Sequence, residues 1–92
     1  MLVQKFQGAK VTEQGVTFGI VSVKPHVLQD KNEAERLIAN FQVRVFPGTP
    51  VVLMAQDAGG VPTYFGRRDI AQFLSRVPVQ AIPWREFTVA VG

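Results

Sequence analysis

Residues 48–77 read GTPVVLMAQDAGGVPTYFGRRDIAQFLSRV and carry four signals in succession. Val51 to Ala55 is an unbroken apolar run of strand length, which suits a strand shielded from water on both faces, so it is the predicted centre of a sheet. Gln56-Asp57-Ala58-Gly59-Gly60 supplies residues that tolerate positive φ, and the chain is expected to reverse there into a second strand over 61–65. Pro62 has no N–H to give to a ladder, which places that second strand at an edge. Beyond it, Ile70, Phe73, Leu74 and Val77 fall at i, i+3, i+4 and i+7. This spacing is one apolar stripe of a helix, with Asp69 in the first turn where the helix dipole favours negative charge.

Working upstream, Leu2 to Phe6 alternates apolar and polar residues, and Lys10 to Thr12 extends that strand past a break at Gly8. Glu13-Gln14-Gly15 is a turn. Val16 to Val23 is rich in β-branched residues, with Val16, Phe18 and Ile20 on one face and Thr17, Val21 and Val23 on the other, the pattern of a second inner strand. Gly19 in its middle marks either a bulge or a close approach by another backbone. Lys24-Pro25-His26 ends the strand. Asp30 precedes Glu33 by three positions, a capping-box spacing, and Ala34, Leu37, Ile38 and Phe41 form a stripe, which predicts a helix over 31–42. Val43 to Phe46 reads as a short extended piece leading to Pro47-Gly48-Thr49-Pro50, a rigid entry whose two prolines are each open to either isomer, with trans the ordinary expectation. Downstream, Pro78 stops the second helix and residues 86–91 alternate as a closing strand.

The order β-β-α-β-β-α-β makes an α+β (α/β-like) single domain of two or three layers, a mixed β-sheet with two helices. The strands at 16–23 and 51–55, joined through a helix, are expected to be parallel and adjacent or one strand apart. Two short helices are little cover for inner strands that are apolar on both faces. Either one helix lies on each side, or both lie on one side and a second copy of the chain covers the other. The second arrangement predicts a homodimer.

With 92 residues, 47% of them hydrophobic and 18% charged, the chain is one domain and too apolar for disorder. No apolar run approaches the roughly 20 residues a membrane helix needs, and MLVQKFQGAK has no secretory pattern, so the default location is cytoplasmic. The absence of cysteine excludes disulfides, thiol catalysis and thiolate metal sites, and a single histidine excludes multi-His zinc sites. No metal and no cofactor are expected. Ten basic against seven acidic residues give a formal charge of +3, dispersed with no block longer than Arg67-Arg68. Nucleic-acid binding would rest on Arg44, Arg67, Arg68, Arg76 and Arg85 forming one face, and scattered surface charge argues against it.

From Val16 to Val77 the chain resembles the second half of the thioredoxin-like fold, in which a strand, a helix, a Thr-Pro step, a hairpin with a glycine-containing turn and an amphipathic helix follow in this order. Thr49-Pro50 stands where that family has its cis-proline, Asp57 to Gly60 at its hairpin, and Gly66 just before its last helix. Only 15 residues precede Val16, too few for the family's first strand and helix. The redox Cys-x-x-Cys is absent, so the resemblance implies topology and no redox activity.

Gly59, Gly60 and Gly66 lack the spacing of a phosphate loop. Gly66-Arg67-Arg68-Asp69 pairs helix-start N–H groups with two guanidiniums, a candidate site for a phosphate or carboxylate. Its simpler reading is Asp69 satisfying the dipole with both arginines in solvent. His26 is the candidate general base, or a plain loop histidine. Asp57 is a candidate ligand group or a turn residue, and Tyr64 and Trp84 line a pocket or interface or fill the core. The expected function is a non-catalytic protein-interaction module acting as a homodimer, or with another protein partner. Its alternative is a binder of a small anion, or an enzyme, using Asp57, Tyr64, Arg67, Arg68 and His26.

Overall fold

A computed structural model of the chain describes residues 2–91, with side-chain surroundings described over 4–89. Five strands form one mixed sheet: β1 Leu2–Glu13, β2 Val16–Ser22, β3 Val51–Gln56, β4 Pro62–Phe65 and β5 Arg85–Val91. The helices are α1 Pro25–Gln29, α2 Lys31–Arg44 and α3 Arg68–Leu74, and a 3-10 turn spans Val79–Ala81. The sheet order is β4-β3-β2-β1-β5. Only the β2–β3 pair is parallel, with Gly19 opposite Val51 and Ser22 opposite Met54, and every other neighbour is antiparallel. The α+β assignment, the parallel inner pair and the edge position of the Pro62 strand are as the sequence predicts.

Val51 to Ala55 is sealed, each residue at most 4% exposed. Alternation sends its side chains into two separate cores. Val52 and Met54 join Phe18, Ile20, Ala9, Ile70 and Leu74 on the α3 side. Val51 and Leu53 join Val21, Val27, Ala34 and Phe46 on the α1–α2 side. One helical layer therefore covers each face. Among the described residues the arrangement that needed a second copy to cover the inner strands does not arise, so that motive for a homodimer does not hold.

Several boundaries differ from expectation. Among the described residues there are three α-helices rather than two. Pro25, read as a strand stop, also opens α1, because the first helical position needs no N–H and a proline φ suits it. Residues 43 and 44, expected extended, continue α2, which ends when the Val45 and Phe46 N–H groups both donate to the Phe41 carbonyl ahead of Pro47. Asp30 caps α2 as predicted, its Oδ1 accepting from the Asn32 and Glu33 N–H groups at 3.1 and 3.2 Å. β1 runs unbroken through Gly8, where a Cβ would lie 3.0 Å from the Ile20 carbonyl oxygen and 3.2 Å from the rings of Phe6 and Phe87. The described peptide bonds are all trans, including that before Pro50, where the thioredoxin-like family has cis.

Gly19 is in regular register and is not a bulge; its N–H donates to the Pro50 carbonyl at 2.8 Å, and its bare face is taken by a side chain. The ring of Phe46 lies flat against it, and a Cβ there would meet ring carbons at 2.8 to 3.0 Å. Phe46 is itself 3% exposed. The glycine thus clears room for the ring that plugs the α2–β3 turn. Replacing Gly19 with Ala should lower stability by ~1–3 kcal/mol through overpacking, a fall in Tm of roughly 5–15 °C for a domain of this size. Thermal unfolding followed by circular dichroism measures it. The Gly19→Ala/Phe46→Leu pair should be less destabilised than the sum of its single changes, and simple additivity would place the strain elsewhere.

Candidate functional sites

The five residues singled out from sequence do not meet. β2 and β3 run parallel, so α1 and the β3–β4 hairpin leave the sheet at the same end, taking His26 and Asp57 there. β4 runs the other way and delivers Arg67 and Arg68 to the opposite end. Tyr64 lies between, facing the α3 core from β4.

Each is accounted for locally. The Asp57 Oδ1 accepts from the N–H groups of Gly59 and Val61 at 2.8 and 2.9 Å, so it is the turn residue of the hairpin. His26 is exposed on α1 and Arg68 exposed at the start of α3. Arg67 is forked onto Asp69, Nε to Oδ1 at 2.8 Å and an Nη to Oδ2 at 2.9 Å. That hydrogen-bonded guanidinium holds the Asp69 carboxyl below its ordinary value. The helix-start anion site therefore has one arginine already spent on an internal carboxylate. Trp84 packs against the α3 core and its Nε1 donates to the Val79 carbonyl at 3.0 Å. The arginines of the nucleic-acid reading are likewise divided, Arg67, Arg68 and Arg76 at the ends of α3 and Arg44 and Arg85 with the α2 layer. No cluster of three or more His, Cys, Asp or Glu able to hold a metal ion occurs among the described residues. No helix among them is long and apolar enough to cross a membrane.

Two features remain. The first is the outer edge of β5, seven residues without proline and, among the described residues, with no strand beyond them. The second is a cleft of about 360 Å3 between β1, β5 and the turn after α2, bordered by Lys10 and Arg85 and floored by Phe46 and Phe87. Sequence reading placed Lys10 in a strand extension and Arg85 only among scattered arginines. The legible signal was alternation: Gly8 and Lys10 on one strand face, Arg85 and Phe87 on another, with the Gly8–Arg85 pairing needed to join them. Comparison with protein-family models, with curated proteins and with solved structures finds no match to this chain.

Tyr64 carries a measurable consequence. Its ring is half-buried, its hydroxyl is enclosed with no hydrogen-bond partner among the described residues, and burial pushes its ionisation above the ordinary 10.0. A raised acid favours the neutral fold, so Tyr64 contributes fully below pH 10 and its contribution is lost as pH rises through the folded-state value. Tyr64→Phe removes the unmet hydroxyl without removing the ring. It should leave stability at pH 7 unchanged or raised by up to ~1 kcal/mol, and should shrink the loss above pH 10. A clear loss at pH 7 in denaturant titration would show that the hydroxyl is bonded after all.

Proposed function

We propose that the chain is a non-catalytic protein-interaction module that pairs with a second copy of itself along the outer edge of β5. The reading is supported by the contrast between the two sheet margins. β4 is four residues long and begins at Pro62, which cannot donate, so that margin is blunted. β5 is seven residues long and contains no proline. Charged side chains stand only at its start, Arg85 and Glu86, and among the described residues no strand bonds the backbone groups of its outer side.

A two-fold axis perpendicular to the sheet makes the pairing antiparallel and keeps each residue on its own face. Centred on Thr88, it sets Thr88 against Thr88 and Phe87 against Val89 of the second copy. Apolar groups then meet on the side of the α2 core, and no like charges stand opposite. Centred on Glu86, it would oppose two carboxylates, so that register is disfavoured. The homodimer proposed here thus forms by sheet extension and owes nothing to a bare sheet face.

Size-exclusion chromatography with light scattering at tens of micromolar should give twice the chain mass. Thr88 is exposed, so Thr88→Lys should leave the fold intact while placing two ammonium groups at the axis, and should give a monomer. A wild-type monomer throughout that concentration range, or a Thr88→Lys dimer of unchanged strength, would remove the reading.

A further inference from the structure

We propose that the cleft between β1, β5 and the Phe46–Pro50 turn binds a small organic anion: an oxyanion head group, carboxylate or phosphate ester, on a flat apolar body. Register brings its two cations together. Gly8 of β1 stands opposite Arg85 of β5, and Lys10 follows two positions on, so Arg85 and Lys10 are diagonal neighbours on the α2 side. Their backbones are ~7–8 Å apart in such a relation, within reach of one ligand for side chains of this length. Gly8 between them has no side chain of its own, and the rings of Phe6 and Phe87 fill the space over it.

The charge around the cleft is one-sided. None of its described lining residues is acidic, and among the described residues no carboxylate pairs with Lys10 or Arg85. Glu86 and Glu13 lie on the opposite face: Glu86 stands across from Gln7 and bridges Lys5 at 4.0 Å, and Glu13 borders α3. An anion in the cleft therefore meets two positive groups and no neighbouring negative one. The Arg85 guanidinium sits 5.2 Å from the centre of the Phe87 ring. This cation–π contact restrains it before any ligand arrives.

The rest of the lining sets the body of the ligand. Half-buried Phe87 presents ring surface to the cleft, the buried Phe46 meets it edge to face at 5.4 Å from below, and Pro47 and Pro83 form stiff walls. A bare inorganic anion would leave these surfaces uncovered. A volume of about 360 Å3 lies at the small end of the ~300–1,000 Å3 usual for ligand sites, room for one ring with its head group. Two cations in a bounded cleft are too few and too local for a polynucleotide, which needs a charged stripe.

The test titrates the full chain, observed by amide NMR, with four probes: benzoate, phenyl phosphate, inorganic phosphate and benzyl alcohol. Saturable shifts centred on Lys10, Thr49 and Arg85 with benzoate, phenyl phosphate or both, at millimolar affinity or tighter, support the site, and the stronger of the two identifies the head group. Inorganic phosphate and benzyl alcohol should bind at least about tenfold more weakly, since each lacks one half of the recognised chemistry. Lys10→Gln/Arg85→Gln, at exposed positions and checked for an unchanged melting curve, should weaken binding at least about tenfold. Arg68→Gln, an exposed arginine outside the cleft, should not. The proposal is overturned if neither organic anion shifts the cleft, if inorganic phosphate binds as well as phenyl phosphate, or if Arg68→Gln weakens binding as much as the cleft pair does.

Discussion

A strand dry on both faces sets demands that the rest of this chain meets. The backbone of β3 must be bonded on both sides, which β2 and β4 do, and its side chains must be covered above and below. Ninety-two residues hold few helices, and they are divided: α1 and α2 on one face, α3 and the 3-10 turn on the other. The division leaves the β1–β5 half of the sheet with thinner cover. On the α2 side the gap is filled by aromatic rings, Phe6 stacked on Phe87 at 5.4 Å and tilted against Phe41 at 5.0 Å. On the α3 side Lys5, Gln7 and Glu86 face solvent instead.

The join from α2 to β3 fixes how these layers sit. Phe46 plugs the turn and lies on Gly19, the Gln42 Oε1 accepts from the Val51 N–H at 3.1 Å, and the Gly19 N–H donates to the Pro50 carbonyl at 2.8 Å. Three contacts thus tie the end of a helix, the start of the central strand and the middle of its parallel neighbour. A parallel pair cannot be aligned by a tight turn, so its register depends on contacts of this kind made across the crossover. The same ring then turns its other edge toward Phe87, which is why the cleft lies beside this turn.

What the chain revealed before folding follows from the range of each interaction. Alternation in 16–23, the apolar run at 51–55, the Asp30 cap and the hairpin glycines act over a few residues, and they were legible. Pro25 and residues 43–44 misled because a proline both stops a strand and starts a helix, and because β-branched residues near a helix end follow the caps rather than their own preference. Gly8 and Gly19 looked like interruptions, since rings that need their bare backbone include Phe87, 79 positions from Gly8, and Phe46, 27 positions from Gly19. The sites suffered most. Asp57, Tyr64, Arg67 and Arg68 are near one another in the chain, but the antiparallel β3–β4 hairpin puts Asp57 and the two arginines at opposite ends of the sheet, and the parallel β2–β3 pair brings only His26 to the Asp57 end.

β5 serves the cleft and the open margin through different atoms. Its side chains at Arg85 and Phe87 turn onto the α2 face, while the backbone groups offered to another strand point outward in the plane of the sheet. A ligand held by two cations is held by charge and weakens with salt over a Debye length of about 8 Å at physiological ionic strength. Strand pairing is held by amide hydrogen bonds and apolar contact, which salt screens little. Ionic strength would therefore separate the two proposed behaviours, because they use orthogonal directions of the same seven residues.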